Sequence, residues 1–177
     1  MKLFLRALLP IATLTAGFTV SAAQQGHGSV RMQGSIINTP CAIEAGSRDQ
    51  SIDLSVIPVS QIAHDGQGPS KPFTIRLINC TLAPSRTYKS DGSHFRVTFD
   101  GSVTDKDLFS VTGDASGVGL QITDLSGNVA IPGQAMGAGL IESENMSLDY
   151  ILRLMPDHHA LRPGTYRSVI RFKMDYY

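Results

Sequence analysis

The segment Thr165–Tyr177 alternates without a break. Tyr166, Ser168, Ile170, Phe172, Met174 and Tyr176 fall on one side, and Arg167, Val169, Arg171, Lys173, Asp175 and Tyr177 on the other. A period of two is the signature of a β-strand with one face turned to a core and one to water. The sequence runs out at Tyr177, so whatever pairs with the far edge of this strand is expected to come from an earlier segment or from another molecule. Left open, such an edge is an aggregation hazard.

The remainder reads the same way. Strand-like runs are expected at Ser29–Ile37, Gln50–Ile57, Phe73–Cys80, Phe95–Asp100, Val118–Asp124 and Leu148–Met155. Between them lie breakers such as Asp65-Gly66-Gln67-Gly68-Pro69, Ser90-Asp91-Gly92-Ser93, Ser126-Gly127-Asn128 and Arg162-Pro163-Gly164. No window carries a three-to-four-residue apolar period over the dozen residues a helix would need. The 17 Gly and 9 Pro in 177 residues fit a turn-rich chain. About seven short strands in roughly 150 residues describe one all-β domain, a β-sandwich of immunoglobulin-like type. Tandem repeats and low-complexity tracts are not seen.

Met1–Ala23 has the grammar of a secretory signal: Lys2 and Arg6, an apolar run from Ala7 to Val20, then small residues, with cleavage expected after Ala22 or Ala23. The run is shorter than the ~20 apolar residues of a spanning helix. Lys+Arg and Asp+Glu balance at 15 each, and loss of Lys2 and Arg6 leaves the mature chain mildly acidic, so nucleic acid is not an expected partner. Two cysteines are too few for a four-thiolate zinc site. In an oxidising compartment Cys41 and Cys80 are expected to form a disulfide. A loop of about 38 residues closed in this way would stabilise the fold by roughly 3–4 kcal/mol.

Behind the signal, Gln24–Gly28 is too polar and glycine-rich for a core, yet Val30, Met32, Gly34 and Ile36 alternate on one face. A glycine inside such a run marks close approach of another backbone or bulky group. One reading is β-strand addition, in which one molecule's arm completes the next molecule's sandwich. The other is an ordinary first strand that pairs within its own domain.

Spacing now adds a resemblance. Gly34-Ser-Ile-Ile-Asn-Thr-Pro-Cys41 looks like the N-terminal Gly-x-Val-Val-x-x-x-Cys element of chaperone–usher pilus (fimbrial) subunits, and Arg76-Leu-Ile-Asn-Cys80 falls where that family has its disulfide partner. Gly164 is fourteenth from the C-terminus and Tyr176 is penultimate, as in the family's terminal signature. The resemblance covers essentially the whole chain after residue 23. It implies an incomplete immunoglobulin-like fold that lacks its last strand and is completed by donor-strand exchange. It also implies three partners: a periplasmic pilus chaperone that lends a strand and binds the terminal carboxylate, an outer-membrane usher, and neighbouring pilus subunits. Carried onto this sequence, residues 1–23 are the signal peptide, 24–37 the donor-strand arm and 38–177 the pilin domain. Val30, Met32 and Ile36 are the arm's pocket-filling residues, with Gly34 at the close approach. Gly164, Tyr166, Ile170, Phe172, Met174 and Tyr176 form the groove strand that meets chaperone or donor.

Enzymatic readings find little support. Asp114-Ala-Ser-Gly-Val-Gly119 is neither a nucleophile elbow nor a phosphate-cradling loop, and reads as a turn. The histidines His27, His64, His94, His158 and His159 are scattered, with His158-His159 expected in a solvated loop and no metal site. Asp105, Asp107 and Asp114 lie in loop-like sequence with no general acid/base pairing. No cofactor or small-molecule substrate is expected. The function expected is that of a minor structural subunit of a chaperone–usher fimbria, contributing to cell adhesion through the fimbria and displayed on the surface of a Gram-negative bacterium. The alternatives are an assembly terminator at the rod base and a tip adhesin; the usual adhesin carries a lectin domain ahead of its pilin domain.

Overall fold

The computed structural model describes residues 29–33, 40–81, 94–105 and 107–177. The chain divides into two compact units, Met1–Ile36 and Ile37–Tyr177. Of the first, residues 29–33 are described; they are exposed and carry no regular secondary structure. The strand expected over Ser29–Ile37 is therefore not seen at 29–33, and 34–37 lie outside the described residues.

The second unit is a two-layer β structure. Its elements in order are β1 (Ala42–Ile43), α1 (Ala45–Arg48), α2 (Val59–Asp65), β2 (Lys71–Ile78), β3 (His94–Asp100), β4 (Val103–Asp105), β5 (Leu108–Ser110), β6 (Thr112–Gly113), β7 (Val118–Asp124), β8 (Gly139–Leu140), β9 (Met146–Pro156), β10 (Tyr166–Arg167) and β11 (Arg171–Tyr176). One sheet runs β1-β2-β9-β7-β5-β4, a second β11-β3-β8, and β10 pairs with β6. Every ladder is antiparallel.

Side-chain alternation sets which faces meet. Ile75 and Leu77 of β2, Tyr150, Leu152 and Leu154 of β9, and Val118, Leu120 and Ile122 of β7 are buried on the first sheet. Phe95, Val97 and Phe99 of β3 face them from the second. The layers are pinned by aromatic contacts: the Tyr150 ring lies 5.4 Å from Phe73 and 5.0 Å, edge-on, from Phe99, and Phe99 lies 6.3 Å from Phe172. Such pairs contribute beyond the area they bury. Cys41 and Cys80, both buried, form the disulfide expected, joining the approach to β1 to the end of β2. Beside it the Thr81 N–H donates to the Pro40 carbonyl at 2.7 Å.

Four sequence expectations need correction. Gln50–Ile57 is not a strand. Ser55 adopts a left-handed backbone (φ 61°), and its N–H donates to the Asp53 carboxylate at 2.7 Å. That local turn competes with the ladder. It also shifts the phase of the segment: Ile52, Leu54 and then Ile57 reach the core, while Val56 is thrown out to 97% exposure. Second, helices do occur. Pro58, with φ −64°, opens α2, and Gly66 closes it in the left-handed region with its N–H on the Ile62 carbonyl at 3.0 Å. Seven residues with one buried side chain, Ile62, are too few to print a helical period on the sequence. Third, the C-terminal run is interrupted at 168–170 between β10 and β11. Fourth, the run expected to end at Cys80 stops at Ile78, before Asn79 enters the left-handed region at φ 52°. No helix among the described residues is long and apolar enough to cross a membrane.

Candidate functional site: the free edge of the C-terminal strand

The ladder between β11 and β3 decides what each residue of the C-terminal strand can do. Tyr177 and His94 exchange two backbone hydrogen bonds, at 3.1 and 3.3 Å, and the register continues through Asp175–Arg96, Lys173–Thr98 and Arg171–Asp100. In an antiparallel pair the residues alternate between bonding toward the partner and pointing away from it. The odd-numbered residues 171–177 therefore turn their N–H and C=O groups to β3. Those of Phe172, Met174 and Tyr176 point to the opposite edge, where no strand pairs with them among the described residues. The same parity holds one segment earlier, where the Thr165 carbonyl accepts from the N–H groups of Asp114 and Ala115 at 2.9 and 3.1 Å.

Side chains follow the same alternation. Phe172, Met174 and Tyr176 are half-buried against the core and their odd-numbered neighbours are exposed. Tyr166 and Ile170 pack on the core as well. A fully covered strand of this composition would bury these groups completely; here each keeps part of its surface accessible.

Beside this strand runs the stretch from Cys41 to Ile57, which holds β1 and α1 and is irregular after Arg48. The Tyr176 hydroxyl donates to the Cys41 carbonyl at 3.4 Å. This hydrogen bond sets the Cys41 end of that stretch beside the C-terminal end of β11, and the side chains packed on the core along the edge of β10–β11 that no described strand pairs line the candidate groove. Burial raises the pKa of Tyr166 and Tyr176, and the Asp53 carboxylate raises that of Tyr166 further, so both hydroxyls are neutral donors at ordinary pH. The Tyr166 hydroxyl is closed off from water and has no hydrogen-bond partner.

Gly164 opens this strand for a steric reason. A Cβ at that position would lie 2.5 Å from Ala115 N and from the Asp114 carbonyl carbon. Only glycine lets the two backbones come so close.

Of the residues singled out from sequence, Tyr166, Ile170, Phe172, Met174 and Tyr176 all pack on the core, and Gly164 stands just ahead of them. Val30 and Met32 are 85% and 89% exposed. Gly34 and Ile36 lie outside the described residues. Sequence reasoning missed the irregular course of 50–57, because Gln50–Ile57 reads as a regular strand and the Asp53–Ser55 turn has no strong sequence marker.

His27 lies outside the described residues; among the described residues, the candidates His158, His159 and Asp105 are accounted for by the following contacts. Asp157, 7% exposed, accepts hydrogen bonds from Thr104 Oγ1 at 2.8 Å and from the His159 N–H at 3.1 Å, and its Oδ1 lies 3.1 Å from His159 Nδ1. Burial pushes its carboxyl up, but these bonds and the nearby His159 charge outweigh that and hold the pKa below the usual carboxylate value. His158 and His159 are exposed, as expected of a loop pair, and His158 Nε2 lies 3.7 Å from Asp105 Oδ2. Among the described residues no group of three or more His, Cys, Asp or Glu could hold a metal ion.

Comparison with known proteins agrees with this geometry. Residues 30–154 match the family model described as Fimbrial protein. The chain is 33% identical over 150 residues to the PAP fimbrial minor pilin protein of Escherichia coli, covering 84% of this chain and 77% of that one. It is 31% identical over 180 residues to the Fimbria A protein of Serratia marcescens, covering 99% of each. Its fold superposes on the P pilus rod subunit PapA with a TM-score of 0.69 at 20% identity, over 78% of this chain and 100% of the other. A subunit of a solved chaperone–usher pilus gives a TM-score of 0.69 at 21% identity, over 89% and 100%. The chain belongs to the fimbrial protein family: it is a pilin subunit of the chaperone–usher type, with an immunoglobulin-like β fold, and serves as a structural component of the cell-surface fimbria of Gram-negative bacteria rather than as an enzyme.

Proposed function

We propose that this chain is a minor structural subunit whose groove is filled by the N-terminal arm of a neighbouring subunit, and that its own arm, residues 24–37, fills the groove of another. The observation that carries the reading is the row of backbone groups on Phe172, Met174 and Tyr176 that point away from β3 to an edge that no strand pairs among the described residues. An added strand supplies hydrogen bonds to that row and presses alternate side chains onto the half-covered core. Val30 and Met32 of the arm, exposed and alternating, have the pattern such a strand needs. Ile36 continues that alternation in the sequence, and Gly34 serves the close approach. Burying three such side chains at about 1.5–3 kcal/mol each adds several kcal/mol before ladder bonds are counted.

Before assembly the same edge is held by a strand from a periplasmic chaperone, and the exchange takes place at an outer-membrane usher. Residues 1–23 are removed as the export signal, and 38–177 form the pilin domain. Adhesion is served through the fimbria as a whole. The minor role is supported by similarity to the PAP and PRS fimbrial minor pilin proteins of Escherichia coli.

The test mixes the chaperone–subunit complex with a peptide copying a pilin arm. Ready displacement of the chaperone supports an ordinary polymerising subunit, and a Gly34→Leu substitution in the subunit's own arm should abolish its entry into a neighbour while leaving its chaperone complex intact. Complete failure of displacement would replace this reading with that of an assembly terminator.

A further inference from the structure

Arg31 is the one Lys, Arg, Asp or Glu in residues 24–37. It stands exposed between the exposed Val30 and Met32. When those two side chains enter a groove, strand alternation turns Arg31 to the outer face of the sheet it joins. On that face β11 presents exposed Arg171, Lys173 and Asp175, followed by the half-exposed Tyr177. Asp175 is the acidic residue among them; it lies 3.0 Å from the Lys173 ammonium and stands opposite Arg96 across the β3 ladder.

Every ladder in this chain is antiparallel. An antiparallel arm that keeps Val30 and Met32 on the side of Phe172, Met174 and Tyr176 sets Arg31 opposite Arg171, Lys173, Asp175 or Tyr177. The first two put like charges directly opposite, which is destabilising. Opposite Tyr177, Val30 falls beyond the end of β11, and the Tyr177 ring already carries the Arg96 guanidinium at 5.0 Å. Asp175 is left, and its register has a second merit: Met32 meets Met174, Val30 meets Tyr176, and Gly34, with no side chain of its own, meets the Phe172 ring. The free backbone groups of β11 belong to its even-numbered residues, so 31 and 175 form a non-hydrogen-bonded pair, the kind whose side chains come closest.

We infer that Asp175 is a specificity-determining residue of the free edge: it takes the Arg31 guanidinium of an arm from a second copy of this chain and thereby sets the register in which arm and groove meet. The inference rests on the strand-addition reading above. In the joined sheet Arg96, Asp175 and Arg31 form a row across three strands, with the carboxylate between two cations, whereas a slip of two residues brings Arg31 against Lys173.

The probe is a set of peptides copying residues 24–37 with Arg31 kept or replaced by Gln or Glu, loaded by exchange into the chaperone-bound subunit and followed by dissociation rate. On the natural subunit the Arg31→Glu peptide should leave about two- to fivefold faster than the natural copy at low salt. That gap should close near 1 M salt, where the screening length falls to about 3 Å. Asp175→Asn should remove the preference for Arg31, and Asp175→Lys should reverse it, so that the Arg31→Glu peptide becomes the slower to leave. Asp175 is exposed, so neither substitution alters the core beneath the strand. The same peptide ranking on the natural and Asp175→Lys subunits overturns the inference and leaves strand addition standing. No entry by any peptide, the natural copy included, overturns both.

Discussion

Phe172 offers a quantitative test of an incomplete groove, because its side chain is divided between what the subunit covers and what an added strand would cover. Its ring lies 6.3 Å from Phe99, which is 2% exposed and packs edge-on to Tyr150 at 5.0 Å. Phe172 is partly buried, and the smaller part of its surface is left for an added strand to cover. Truncating a fully buried Phe to Ala costs about 3–5 kcal/mol. With the larger part of its side chain already covered within the chain, Phe172→Ala should cost the uncomplemented subunit about 2–4 kcal/mol, read from urea unfolding of the chaperone-free chain. The rest of the loss should appear only when a strand occupies the groove. About 1 kcal/mol there corresponds to roughly a fivefold rise in the dissociation constant of an arm peptide, measurable by competition against a fluorescent copy. An unfolding cost of the full buried value together with peptide affinity changed less than about twofold would refute the reasoning. It would mean that the ring is already covered by its own chain.

Two further predictions concern the strand's approach and the loop that leads to it. Gly164→Ala forces apart backbones that would sit 2.5 Å from the new Cβ, weakening the two bonds to the Thr165 carbonyl; a loss of about 1–3 kcal/mol in thermal or urea unfolding is expected, with the start of the groove strand displaced. Asp157 has a folded pKa below its unfolded value of about 3.9, so the unfolded state binds more protons between the two values. Its contribution is present above pH ~4 and is lost as pH falls through the folded pKa. The stability gap between the natural chain and Asp157→Asn, followed by urea unfolding, should therefore close on acidification; a gap that stays constant to low pH contradicts the assignment.

Much of this architecture was legible in the residues, and what was not has physical causes. Thr165–Tyr177 announced itself because a strand with one covered face must alternate, and the half-buried Phe172, Met174 and Tyr176 against exposed Arg171, Lys173 and Asp175 follow that pattern. The disulfide could be read from export and the lack of any other cysteine. The Gln50–Ile57 segment misled because Ser55 is a residue any strand tolerates, and its left-handed backbone depends on a single bond from its N–H to Asp53. The short strands β4, β5, β6 and β8 of two or three residues carry too few positions to show a period. Gly164 stood out by its place near the terminus, but the reason for a glycine, the backbone of Asp114 and Ala115 against it, is a contact between distant parts of the chain. The orphaned hydroxyl of Tyr166 is likewise a property of packing, invisible in a pattern of apolar and polar letters.

The central claim, that one edge of β11 is free until another strand joins it, is tested most directly by residue-resolved amide hydrogen exchange across 171–176. The chain alone is compared with a version carrying a copy of residues 24–37 appended after Tyr177 through a flexible linker. In the chain alone, the amides of Arg171, Lys173 and Asp175, bonded toward β3, should be protected, while those of Phe172, Met174 and Tyr176 exchange freely. In the complemented version all six should be slow. Protection of the even-numbered amides in the chain alone, or their continued rapid exchange once the strand is supplied, would contradict the account.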